Sequence, residues 1–97
     1  MPTHEELLSF WRDWDALTPD QQRLFRRAVA KFVEDLGQRR PSRPGLRVKE
    51  VQGTDGIFEM TWAGDGRATF QYGSAVEGDE PHIIWRRVGT HHVLRAP

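Results

Sequence analysis

Ninety-seven residues hold one modest core and no second one, and without cysteine the chain has neither a disulfide frame nor a thiolate zinc site. Fourteen basic and fourteen acidic side chains cancel to a formal net charge of zero, which argues against a general electrostatic grip on nucleic acid. No apolar run reaches membrane length and "MPTHEELL" lacks the basic-then-apolar order of a secretory leader, so we expect a single cytoplasmic domain over 1–97 with no membrane contact.

Thr3 and Glu6 read as a capping box that opens a first helix, with Leu7, Leu8, Trp11, Trp14 and Leu17 at helical spacing. That start leaves no room for a strand before it. The two tryptophans at this spacing are core or partner contacts rather than stacking platforms. "LTPDQQ" resets the chain: Thr18 caps, Pro19 takes the first helical position and Gln21 lies three beyond the cap. Leu24, Phe25, Ala28, Val29, Phe32, Val33 and Leu36 then form an apolar stripe, and Gly37 is a natural stop. The helical hairpin thus covers 3–36.

"RRPSRPG" reads as a linker, after which the period changes to two. Within 38–49, "QRRPSRPGLRVK", five positive charges meet no negative one. "LRVKEV" alternates Leu46 and Val48 with Arg47 and Lys49. Phe58, Met60 and Trp62 share a face of the next strand, "AGDG" turns a hairpin, and Phe70 and Tyr72 continue that face beyond it. "HIIWRRV" is apolar on both faces early, as a central strand is. The expected architecture is α+β: the helical hairpin packed on one face of a small, three- to four-stranded antiparallel sheet over 46–94. Alternation puts Glu59, Thr61, Arg67, Thr69 and Gln71 on the opposite, polar face.

The end of the chain, "WRRVGTHHVLRAP", adds Arg86 and Arg87, whose forks match phosphate oxygens, and His91 and His92, which titrate near neutrality. Neighbours on an extended chain point to opposite sides, so one histidine at most serves a common site. Against a site stands a plain structural alternative, in which Arg67 is a post-turn arginine paired with Glu59 or Asp65 and the histidines belong to a solvated end.

"PGLRVKEVQGTDGIFEMTW", "DGRATFQY" and the apolar strand closing on "VGTH" together resemble the RelE/ParE toxin superfamily, its RelE-like and phage-derived members in particular. The resemblance covers roughly 18–94 and rests on order and spacing more than on any one motif. It implies the toxin of a type II toxin–antitoxin system, a metal-independent endoribonuclease that cuts messenger RNA at the ribosome by attack of the ribose 2′-hydroxyl and is silenced by a cognate antitoxin protein. On that resemblance Arg67 holds the scissile phosphate and His91 is the general acid, while Glu59, at a position where relatives carry either a lysine or an acid, is the candidate base that metal-free cleavage requires. Arg47, Lys49, Arg86, Arg87 and His92 would contact RNA, with no cofactor and no metal. The sequence departs from the family pattern in having "DGR" rather than an aromatic beside Arg67, no tyrosine near its end and no basic excess. Those departures support the alternative of a RelE/ParE-like binding module that engages an antitoxin-like protein, or a gyrase-type target, without cleaving RNA.

Overall fold

A computed structural model describes all of residues 1–97. Its elements are β1 (Thr3–Glu6), α1 (Leu8–Ala16), α2 (Pro19–Gly37), a short 3₁₀ turn (Pro44–Leu46), β2 (Lys49–Glu50), β3 (Phe58–Thr61), β4 (Gly66–Gly73), β5 (His82–Thr90) and a closing 3₁₀ helix (His91–Arg95). The sheet is five-stranded and mixed, in the order β1-β5-β4-β3-β2. β1 runs parallel to β5, while the other pairs are antiparallel. No helix is long and apolar enough to cross a membrane.

This corrects the expected three- to four-stranded antiparallel sheet and the helix expected from Thr3. Thr3–Glu6 is a strand because β5 offers an open edge. Thr3 N–H donates to the Pro81 carbonyl at 2.9 Å and Leu7 N–H to that of Trp85 at 2.9 Å. The buried His82 ring bridges Thr3 Oγ1 (2.7 Å) and Glu5 Oε1 (2.9 Å), which ties the strand down through side chains as well. A helix begun at Thr3 would forfeit these long-range partners, and local capping is too weak to compensate for them.

Where β1 ends, α1 takes over the same edge of β5. Ser9 Oγ donates to the Arg86 carbonyl at 2.7 Å, and Asp13 Oδ2 accepts the Val88 N–H at 3.1 Å. Backbone groups that an edge strand leaves bare are therefore satisfied along most of its length. The later helix start also rotates the apolar stripe: Phe10 is the buried residue of α1, while Leu8 is 65% and Trp11 46% exposed. α2 follows expectation more closely. Thr18 and Gln21 form the complete capping box, and Phe25, Ala28 and Phe32 are buried. Phe32 packs against Phe70 and Trp85 with ring centroids 5.0 and 5.7 Å apart, and Met60, Trp62, Ala68, Ile83 and Val88 complete the core between helices and sheet. Tyr72, expected on this face, is nearly half exposed.

Asp35 is the unanticipated core residue. Its carboxylate accepts from Arg40 Nε (2.8 Å), Arg43 N–H (3.0 Å), Arg43 Nε (3.0 Å) and Arg43 Nη2 (2.9 Å). A buried charge with every lone pair used is stable where an unpaired one is not. The Arg43 side-chain bond, followed by the Arg43 backbone bond, holds this carboxyl well below the usual carboxylate range. "RRPSRPG" is thus a structural clasp rather than a linker.

Candidate functional site

The hydrogen-bond register across the sheet decides which side chains meet. Lys49 pairs with Glu59, Glu59 with Thr69 and Thr69 with Arg87, so these four form one row across β2, β3, β4 and β5. The next row is Thr61, Arg67 and Gly89. Both rows alternate with the core residues Met60, Ala68 and Val88 and therefore point away from the helices. Arg86 joins them through an irregularity: Thr69 pairs with Arg87 and Phe70 with Trp85, which leaves Arg86 as the extra residue of a bulge. Its Nη1 donates to Gln71 Oε1 at 2.6 Å.

This face is less open than alternation implies. Thr69 is fully buried and Glu59 7% exposed, because residues 91–97 fold back over β4 and β5. Val93, itself fully buried, sits on Gly89, where a β-carbon would come within 3.0 Å of Val93 Cγ1. Pro97 O accepts from Thr69 Oγ1 (3.1 Å) and Arg86 Nε (3.0 Å). The closing segment is therefore a roof rather than a free end, although the side chains of His91 and His92 on it remain exposed, as the structural alternative had them. His91 and His92 lie on a 3₁₀ helix and not on an extended chain.

Arg67 Nε stands 4.0 Å from Glu59 Oε1, and its Nη1 donates to the carbonyls of Gly64 (3.2 Å) and Gly66 (3.0 Å). Its guanidinium is thus anchored at the hairpin turn. His91 follows Gly89, the register partner of Arg67, by two residues, and its Nδ1 lies 3.4 Å from Asp65 Oδ1. Arg67 and His91 accordingly occupy the same end of the sheet, but they line separate clefts. His91 and His92 form one with Asp65 and Arg95, while Arg67 lines another beside α2. Both residues carry the acidic neighbour that the structural alternative anticipated for Arg67.

Other expected RNA contacts are redistributed. Arg87 is bound to Asp13 through Nε (2.7 Å) and Nη2 (3.1 Å), and that pairing raises its pKa above the ordinary arginine value. It also donates to the Ala96 carbonyl at 3.2 Å, so it clamps α1, β5 and the roof together. Arg47 is not on a strand with Lys49. It ends the 3₁₀ turn in the left-handed region, φ 48°, and lines the cleft beside α2. His92 Nδ1 bonds Thr90 Oγ1 at 2.6 Å. Lys49 alone of the expected contacts is exposed on the row. No group of three or more His, Cys, Asp or Glu is arranged to hold a metal ion.

No protein-family model matches the chain, and no curated protein matches it by sequence. Solved structures do. A chain of the DinJ–YafQ complex of E. coli superposes with a TM-score of 0.66 at 13% identity, over 97% of this chain and 98% of that one. For the RelB–RelE antitoxin–toxin complex of Methanococcus jannaschii the values are 0.59, 13%, 93% and 93%. A copper-bound mutant toxin from Helicobacter pylori gives 0.62 and 19% identity over 97% of this chain and 99% of that one. The chain has the fold of these RelE/YafQ toxins. Near-complete coverage at both ends means that β1, which the sequence hid, belongs to the shared RelE-type fold and is no addition to it. At such identities the likeness carries the architecture and not the chemistry, which must be argued from the side chains.

Proposed function

We propose that the protein is the toxin of a type II toxin–antitoxin pair and a metal-independent endoribonuclease acting on messenger RNA at the ribosome. The observation that carries this reading is that Arg67 and the His91-bearing helix occupy the same end of the polar sheet face, in neighbouring clefts, on the fold shared with RelE/YafQ toxins. Arg67 grips the scissile phosphate with a guanidinium already oriented by the turn carbonyls. The ribose 2′-oxygen bonds to phosphorus, its proton passes to the Glu59 carboxylate, and the P–O5′ bond breaks as His91 protonates the departing oxygen. A 2′,3′-cyclic phosphate and a 5′-hydroxyl remain. Stabilising the phosphorane charge is worth about 10²- to 10³-fold per donor, and proton transfer about 10²- to 10⁴-fold. The cognate antitoxin covers this face or the helix groove.

A second reading has its own support. Residues 91–97 roof part of the face and Arg87 is committed to Asp13, as befits a binding module that engages an antitoxin-like protein without cutting. Expression of the chain beside Arg67→Ala, Arg67→Lys and His91→Ala separates the two. A nuclease arrests growth and cuts messenger, and every variant relieves both, lysine included because it lacks the planar fork. Equal toxicity of all four, or arrest without cleavage, rejects the nuclease and leaves the binder.

A further inference from the structure

We infer that the cleft between α2 and the β3–β4 turn is a second anion site, which holds backbone phosphates of a single-stranded RNA outside the cutting face. The cleft encloses about 430 Å³, and five cations line it: Arg27, Lys31, Arg43, Arg47 and Arg67. No aspartate or glutamate lines it, although the chain has as many acids as bases. Elsewhere several arginines find carboxylates, Arg23 with Asp20, Arg39 with Asp79, Arg40 with Asp35 and Arg87 with Asp13, while Arg12, Arg26, Arg86 and Arg95 stay without one but are not gathered in one cleft. In the cleft Arg43 is engaged by Asp35 and Arg67 by Glu59. Arg27, Lys31 and Arg47 have no carboxylate within 4.0 Å of them.

Arg27 and Lys31 stand one helical turn apart on α2, where like charges repel. Arg47 faces the same space from a left-handed backbone conformation that arginine rarely adopts. Arg27, Lys31 and Arg47 are exposed, and three cations gathered without a carboxylate give the cleft a local positive field that attracts an anion. Trp62, a residue of the wall, is buried, and its indole Nε1 is the one buried side-chain polar atom of the chain without a hydrogen-bond partner.

A nucleic acid backbone suits the cleft better than an acidic peptide. Small residues, Ala28, Gly45, Ala63 and Gly64, line it between the cations, and no exposed aromatic offers the anchor that peptide grooves use. Arg67 belongs both to this cleft and to the row that holds the scissile phosphate, so a strand bent over the hairpin turn passes from one to the other. The inference rests on RNA as the ligand of the proposed function but not on cleavage.

Binding of a 2′-O-methyl RNA 12-mer, which no 2′-hydroxyl mechanism can cut, is measured by fluorescence anisotropy over a salt series. Each phosphate contact contributes about 0.7 to the slope of log K against log salt on single strands, so Arg27→Ala/Lys31→Ala/Arg47→Ala lowers the slope by about 2. Between 50 and 200 mM salt the triple variant therefore loses about 20-fold less affinity than the parent. Arg23→Ala/Arg39→Ala, which removes charge outside the cleft, leaves the slope unchanged, and thermal unfolding of all three proteins shows whether they fold alike. An unchanged slope in the triple variant, an equal fall in the control, or oligoglutamate bound at the cleft in preference to RNA overturns the assignment. A fall in slope in a parent that does not cut RNA upholds the cleft while rejecting the nuclease. Cleavage with no change in slope does the reverse.

Discussion

Gly89→Ala tests whether the roof is seated on the sheet as the register requires. The added β-carbon would lie 3.0 Å from Val93 Cγ1 and 3.5 Å from His92 Cε1, whereas carbon atoms settle at roughly 3.5–4.0 Å. Val93 is fully buried and cannot swing into solvent. The 3₁₀ helix must therefore lift by roughly 0.5–1 Å, at a cost of about 1–3 kcal/mol for overpacking. In a domain of this size each such kcal/mol lowers the melting temperature by about 4–8 °C. Val93→Ala alone removes the obstructing methyl at a cost of about 1–3 kcal/mol, twice that of deleting one methylene. The double variant relieves the clash, so it should be no less stable than Val93→Ala, with a coupling of about 1 kcal/mol or more in a urea-denaturation cycle. The same lift carries His91 with it, and a displacement of about 1 Å can reduce a reaction about 100-fold, so the single Gly89 variant should cut poorly while still binding RNA. Additive stabilities, within about 0.5 kcal/mol, would show that the closing helix does not rest on Gly89 and would remove the argument for where His91 stands.

Two further expectations concern the clasps. Asp35 has a folded pKa below its unfolded value of about 3.9, so its contribution is fully present above that pH and lost as pH falls through the folded value. Asp35→Asn should consequently flatten the acid limb of a stability–pH profile measured by urea denaturation, and an unaltered limb would reject the clasp. Asp13→Ala removes both the partner of Arg87 and the acceptor for Val88 N–H. A cycle with Arg87→Ala should show a coupling of at least about 0.5 kcal/mol, and its absence would return Arg87 to the pool of free RNA contacts.

The helices were legible wherever a local signal decided them. Thr18, Pro19 and Gln21 fix the start of α2 within four residues of chain, and its stripe predicts Phe25, Ala28 and Phe32 as core. β1 was illegible because its partner is β5, almost eighty residues away in sequence, and "THEE" has a better local alternative as a helix cap. The polar face could be read from alternation and the register honours it, but alternation says nothing about what lies on top. Val93 burying itself on Gly89 is a tertiary event. Likewise the charges of "QRRPSRPGLRVK" looked free because their acids, Asp35, Glu34 and Asp79, lie outside that window. Arg47 and Lys49 alone of the five remain unpaired.

Under the proposed function, those unpaired cations and the roof leave one side open for a strand of RNA. The closing segment covers β4 and β5 near Thr69, Arg86 and Gly89, so this half of the face is closed while the roof is seated. Lys49 lies at the far edge on β2 and stays exposed, Arg67 sits at the turn, and Arg27, Lys31 and Arg47 flank the cleft just beyond it. A phosphate chain entering over β2 meets cations in sequence and reaches Arg67 without displacing the roof. One entering over β5 meets the Arg87–Asp13 clamp and the backbone oxygens of 96 and 97, which repel phosphate. Neutral net charge is compatible with the proposed RNA binding, because no aspartate or glutamate lines the cleft that holds Arg27, Lys31, Arg47 and Arg67.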